Sequence, residues 1–146
     1  MESGVSLLNR PGMALAFEAG MTKTILIADD SRTVREIYRQ KLTDEGFCVL
    51  LAAGGREAVK LLSTETPALI MLDLQMPEVD GYQLLEAIRN QARLRHVPVL
   101  VLTGASDRVQ FQRAFDLGAT DFILKSTTPP DNVVRQIRQA LRSLAA

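Results

Sequence analysis

Leu69-Ile70-Met71-Leu72-Asp73-Leu74-Gln75-Met76-Pro77-Glu78-Val79-Asp80-Gly81 is the stretch from which the rest of the chain can be read. A short apolar run meets one carboxylate, and the chain then turns through Pro77 and Gly81. Such a run, bounded by turn residues, predicts a strand buried on both faces, as in a parallel sheet. Asp73 then stands at the strand's carboxyl end, the edge of an open α/β sheet where ligands bind. A carboxylate there costs free energy unless a cation or hydrogen-bond donors meet it.

Upstream, Thr24-Ile25-Leu26-Ile27-Ala28 predicts another buried strand, ending in Asp29-Asp30. Ser31 is placed to cap a helix. Val34, Ile37, Tyr38 and Leu42 recur at helical spacing, and Gly46 stops the helix. Phe47 to Leu51 is rich in strand formers. Gly54-Gly55 opens a second helix carrying Ala58, Leu61 and Leu62. Downstream of Gly81 a third helix carries Leu84, Leu85 and Ile88. Val99 to Leu102 predicts a fourth strand ending at Thr103-Gly104-Ala105. Ser106 is read as the cap of a fourth helix with Phe111, Ala114 and Phe115 on one face. Phe122-Ile123-Leu124 is a fifth strand ending at Lys125. Pro129-Pro130 opens the last helix, where a missing N–H costs nothing. That helix places Val134, Ile137, Leu141 and Leu144 along one stripe. Strands alternating with helices five times imply one parallel α/β sheet with helices on both faces. Residues 1–21, with Pro11 and glycines at 4, 12 and 20, read as an extension outside the core, and 22–146 as the domain.

Composition narrows the function. Seventeen basic and seventeen acidic side chains cancel, so charge gives no argument for nucleic-acid or membrane-surface binding. Cys48 is the only cysteine, which excludes an intrachain disulfide and a cysteine metal cage. No apolar run approaches the roughly 18–20 residues that span a bilayer, and Met13 to Phe17 is too short for a signal peptide. The expected location is cytoplasmic.

The strand ends carry the chemistry. They supply Asp29 and Asp30, then Asp73, Thr103 and Lys125. Crowded carboxylates tend to hold protons, and a hard divalent cation such as Mg²⁺ resolves that. An anionic nucleophile, Mg²⁺, an ammonium and a hydroxyl suit phosphoryl transfer, in which positioning and charge neutralisation do most of the work. Asp73 would be the acceptor, forming an acyl phosphate. Each residue alone has a plainer reading. Asp29-Asp30 reads as a helix-capping pair, Thr103 as a β-branched strand residue and Lys125 as an exposed lysine. His96 reads as solvated, Cys48 as a buried strand residue, and Asp116 and Asp121 as surface or capping carboxylates.

In the Asp29-Asp30 pair, the Asp73-to-Gly81 run, Thr103-Gly104-Ala105 and Phe122-to-Lys125, the chain resembles the receiver domain of two-component response regulators, over about residues 22 to 145. The resemblance implies a flavodoxin-like (βα)5 fold with strand order 2-1-3-4-5. It implies that Asp73 takes a phosphoryl group from a sensor histidine kinase or a histidine phosphotransfer protein. Mg²⁺ would be held by Asp30, Asp73 and the backbone carbonyl of Gln75, with Asp29 acting mainly through water. Thr103 and Lys125 would contact the phosphoryl oxygens. Thr103 and Phe122 would form a switch that controls a downstream protein or a fused output domain. The chain would catalyse its own phosphorylation and slow dephosphorylation without turning over a separate substrate, and Ala105 would influence the phosphate lifetime. Arg108, Gln112, Arg135 and Arg138 would lie on the output face, through which family members form homodimers. No direct nucleic-acid or membrane binding is implied. Where the family usually has proline after the lysine, this chain has Ser126. That substitution motivates the alternative, an interaction module that keeps the fold and signals without phosphate. A phosphatase built on the same fold generally carries a second Asp two residues after the nucleophile; here that position is Gln75.

Overall fold

The computed structural model describes residues 22–104, 108–125 and 127–145. The expectations placed on residues 1–21, Ala105, Ser106 and Ser126 and on the side chain of Leu144 lie outside what it describes. Ten elements alternate along the chain. They are β1 (Thr24–Ala28), α1 (Arg32–Asp44), β2 (Cys48–Ala52), α2 (Gly55–Leu62) and β3 (Leu69–Asp73). Then come α3 (Gly81–Asn90), β4 (Val99–Thr103), α4 (Arg108–Asp116), β5 (Asp121–Leu124) and α5 (Pro130–Ala145). The strands form one parallel sheet in the order β2-β1-β3-β4-β5, the flavodoxin-like arrangement expected.

All five residues of β3 are buried, and so are all five of β4. Their side chains alternate between two core layers, because successive strand residues face opposite ways. Leu26, Ile70, Leu72, Val99 and Val101 pack beneath α2, α3 and α4, against Ala58, Leu62, Leu84, Leu85, Ile88 and Ala114. Ile25, Ile27, Leu69, Met71, Leu100 and Leu102 pack beneath α1 and α5, against Tyr38, Leu42, Val133, Val134 and Ile137. Fully burying one such side chain contributes about 1.5–3 kcal/mol.

Two readings from helical spacing need correction. Ile37 was expected on the core stripe of α1 but is 50% exposed. Tyr38 and Leu42 are one turn apart and claim the core-facing direction, so Ile37, about 100° round the helix from Tyr38, falls on the flank. Likewise only Ala114 of the α4 face is buried. Phe111 and Phe115 instead meet Phe122 on the edge strand β5. Phe111 is stacked on it at 4.1 Å between ring centres, and Phe115 lies edge-on at 6.0 Å.

The amino edge of the sheet is closed by two arginines. Arg89, at the end of α3, donates to the carbonyls of Gly118 (2.9 Å), Arg95 (2.9 Å) and Val97 (2.6 Å). Arg93 donates to the Glu65 carbonyl at 3.0 Å, to Thr66 Oγ1 and to the Leu62 carbonyl. Apart from that of Leu62, the last residue of α2, these carbonyls belong to the segments that enter β3, β4 and β5.

Candidate functional site

Strand register builds the site at the opposite edge. Ala28 pairs with Leu72, so Asp29 and Asp73 leave neighbouring strands side by side. Asp73 pairs with Leu102, and Thr103 with Leu124, so each strand toward β5 places its polar residue one step further out. Lys125 has the long side chain needed to reach back across that stagger. Its Nζ lies 2.8 Å from Asp29 Oδ2 and 3.2 Å from Asp73 Oδ2. One ammonium therefore bridges the ends of β1 and β3 from beyond β5.

The turn after β1 is tightly bonded. The Ser31 N–H donates to Asp29 Oδ1 at 2.8 Å, and Ser31 Oγ accepts from the Val34 N–H, capping α1 as its position suggested. Arg35, from the first turn of α1, reaches back and donates from Nη1 to the Asp29 carbonyl at 2.8 Å. Asp29 is fully buried, whereas Asp30, the next residue, is exposed at the mouth. Beyond β3, the Gln75 N–H donates to Asp73 Oδ1 at 3.1 Å while the Gln75 residue is exposed.

The loop back from β3 to α3 is pinned by shape. A Cβ on Gly81 would lie 2.3 Å from the Asp73 carbonyl oxygen and 2.6 Å from Leu74 Cα, so only glycine fits. Glu78 holds φ at +68°, a left-handed conformation rare for a residue with a side chain. Asp80 caps α3 in a reciprocal capping box with Gln83, a pairing the sequence reading missed although Asp80-x-x-Gln83 spells it.

Electrostatics follow from burial. Asp73 is 3% exposed; desolvation, and then the charge of Asp29, push its carboxyl up to about 6, against the Gln75 N–H and Lys125, which pull it down. Burial pulls the Lys125 ammonium down, but its hydrogen bond to Asp29 and the charges of Asp29 and Asp73 outweigh that and raise it. Carboxylate oxygens of Asp29, Asp30 and Asp73 all lie within 4.8 Å of one another. A cluster of hard, anionic oxygens open to solvent on the Asp30 side fits a small divalent cation such as Mg²⁺.

The structure thus brings Asp29, Asp30, Asp73 and Lys125 together, with Gln75 adjoining. Thr103 is buried at the end of β4, and its carbonyl accepts the Lys125 N–H at 2.9 Å. Phe122 lies three residues before Lys125, on the α4 side of β5, partly buried. His96 is exposed, Cys48 is buried, and Asp121 accepts from Gln136 Nε2 at 3.3 Å. Arg138, expected on the α4–β5–α5 face, instead pairs with Glu45 at the end of α1 at 3.0 Å. Sequence reading also missed a groove of about 370 Å³ beside Lys125, lined by Val34, Ile37, Tyr38, Thr127 and Pro129 among others. The exposure of Ile37 is its signature, and a stripe rule assigns that residue inward. Among the described residues, no helix is long and apolar enough to cross a membrane.

Comparison with known proteins agrees with this fold. The model of the response regulator receiver domain matches residues 25–138. The chain is 37% identical over 118 residues to the probable transcriptional regulator ycf27 of Porphyridium aerugineum, covering 81% of this chain and 48% of that protein. It therefore spans about half the length of the curated relatives of this kind. Among solved structures it is similar to the receiver domain of a signal transduction histidine kinase from Syntrophus aciditrophicus. That match has 36% identity and TM-score 0.76, covering 83% of this chain and 91% of that one. It is also similar to a putative response regulator from Chloroflexus aurantiacus, with 30% identity and TM-score 0.79, covering 83% and 98%.

Proposed function

Since the chain belongs to the response regulator receiver domain family of two-component signalling, we propose that its residues 22–146 receive a phosphoryl group on Asp73. The reading is carried by one observation: the oxygens of Asp29, Asp30 and Asp73 converge within 4.8 Å at a strand edge where Lys125 reaches Asp73. A carboxylate oxygen of Asp73 attacks the phosphorus of a phosphohistidine on a sensor kinase or phosphotransfer protein. The P–O bond forms as the P–N bond breaks, and the imidazole leaves with a proton from water. Asp73 must be ionised to attack, and Lys125 holds the negative charge in place. Held by Asp30, Asp73 and the Gln75 carbonyl, Mg²⁺ would supply charge neutralisation for the incoming phosphoryl oxygens. Lys125 and the Thr103 hydroxyl then face those oxygens.

A dianion at Asp73 gives Thr103 and Lys125 new charge-assisted partners, and a rearrangement of Thr103 and Phe122 passes the change to the α4–β5–α5 face, where a downstream protein, an attached output domain or a second copy reads it. The groove beside Lys125 gives a protein donor an apolar footing next to the acceptor. Decay of the acyl phosphate by water is slow and intrinsic to the same site. Incubation with acetyl phosphate and Mg²⁺ should give a single phosphoryl adduct by intact mass spectrometry, absent in Asp73→Asn. An adduct that persists in that variant overturns the assignment.

A further inference from the structure

The Asp29-Asp30-Ser31 turn has to hold two neighbouring carboxylates in opposite situations. Asp29 points into the sheet edge and bonds Lys125 and the Ser31 N–H, while Asp30 faces solvent. An exposed side chain has no packing to fix it, so its direction depends on the backbone that carries it. The peptide joining Asp29 to Asp30 is held by a side chain from elsewhere: its carbonyl accepts from Arg35 Nη1 at 2.8 Å, and Arg35 is partly buried on the first turn of α1. The Arg35 N–H also bonds the Ser31 carbonyl at 3.0 Å, so both the main chain and the side chain of one residue tie this turn to the helix.

We propose that Arg35 is a positioning residue for the acidic turn: by fixing the Asp29–Asp30 peptide it aims the Asp30 carboxylate at the cation that Asp30 and Asp73 share. This rests on the phosphoacceptor reading above. Two physical effects of Arg35 oppose each other, and their signs separate them. A guanidinium bonded to the Asp29 carbonyl brings positive charge beside the acidic turn and repels an arriving Mg²⁺, so removing it should tighten binding if charge alone mattered. Removing a support that orients a metal-ligating group weakens binding, typically by about 10- to 100-fold. The geometry favours the second effect, because the guanidinium's bond is to the peptide and not to a carboxylate.

The test is calorimetric titration of the full 146-residue chain with MgCl2 alone, without phosphate, with melting temperature and circular dichroism as folding controls. Arg35→Met, which keeps the apolar stem and loses the donor, should bind Mg²⁺ roughly tenfold more weakly than wild type. Arg35→Lys keeps the charge and one donor, and should fall between the two; it carries the test if Arg35→Met does not fold. Unchanged or tighter binding in a folded variant overturns the inference while leaving the phosphoacceptor reading standing. Wild-type protein that takes up no Mg²⁺ overturns both.

Discussion

Asp73→Asn should make the metal-free protein more stable at neutral pH, although it destroys the proposed acceptor. The substitution removes a charge and keeps the shape, including the oxygen that accepts the Gln75 N–H. Burial and the Asp29 charge raise the Asp73 carboxyl from 3.8 to about 6, and the net shift already includes the help from Lys125. At 1.36 kcal/mol per pH unit, holding this group ionised in the folded state costs about 3 kcal/mol. The sign follows from linkage. The folded value lies above the unfolded one, so the cost is absent well below 3.8, where both states are protonated. It grows as pH rises through the interval up to about 6 and is complete above it. Wild type should therefore lose about 3 kcal/mol relative to Asp73→Asn over the whole interval, and about 2 kcal/mol of it between pH 4 and pH 7; the full difference is about 10 °C in melting temperature for a domain of this size. Urea unfolding followed by far-ultraviolet circular dichroism, in EDTA, measures it. Millimolar Mg²⁺ should restore much of the difference to wild type and little to the variant. Equal stabilities at pH 7 in EDTA, or a gap that does not change between pH 4 and pH 7, would refute the reasoning.

Lys125→Met leaves the fully buried Asp29 and the nearly buried Asp73 without their shared cation, and should cost about 3–5 kcal/mol in EDTA by urea unfolding. Adding Asp29→Asn to that variant should recover a good part of the loss. Ile37→Asp should slow phosphotransfer from a protein donor at least severalfold while leaving the acetyl phosphate rate unchanged, because the groove is the proposed footing of the protein donor alone; paired rate measurements check this. Gly81→Ala drives a methyl into the Asp73 carbonyl and should cost about 1–3 kcal/mol in unfolding free energy and slow acetyl phosphate labelling. Glu78→Gly relieves a left-handed residue and should gain up to about 1 kcal/mol by the same unfolding measurement, with Mg²⁺ affinity preserved.

How far the sequence could be read depends on the reach of each interaction. β3 and β4 are legible because each is a run of five buried positions with no polar residue to blur it except Asp73 and Thr103, which stand at the ends. Parallel pairing then forces those ends onto one edge, so the company of Asp29, Asp73 and Lys125 follows from strand order. What Lys125 bonds does not follow: register sets the stagger, but the ammonium passes two strands to reach Asp29, and that choice is made by side-chain packing. Ile37 was misplaced because a three- or four-residue repeat cannot tell a flank from a core position when Tyr38 and Leu42 already fill the core. The contact of Arg89 with Gly118 joins residues 29 apart, and no local pattern encodes it. Arg35 to Asp29 is local enough to be found, but an arginine in a first helical turn ordinarily reads as a solvated charge.

The arginines at the amino edge bear on how the molecule transmits force. Arg89 and Arg93 tie down the chain where it enters β3, β4 and β5, so the sheet, like a hand, is gripped at the wrist by neutral carbonyls and at the fingertips by charge, through Lys125. The arginine bonds brace the wrist against a disturbance begun at the fingertips. The route proposed for the signal is therefore sideways, across β4 to the edge strand, where two phenylalanine rings lean on a third.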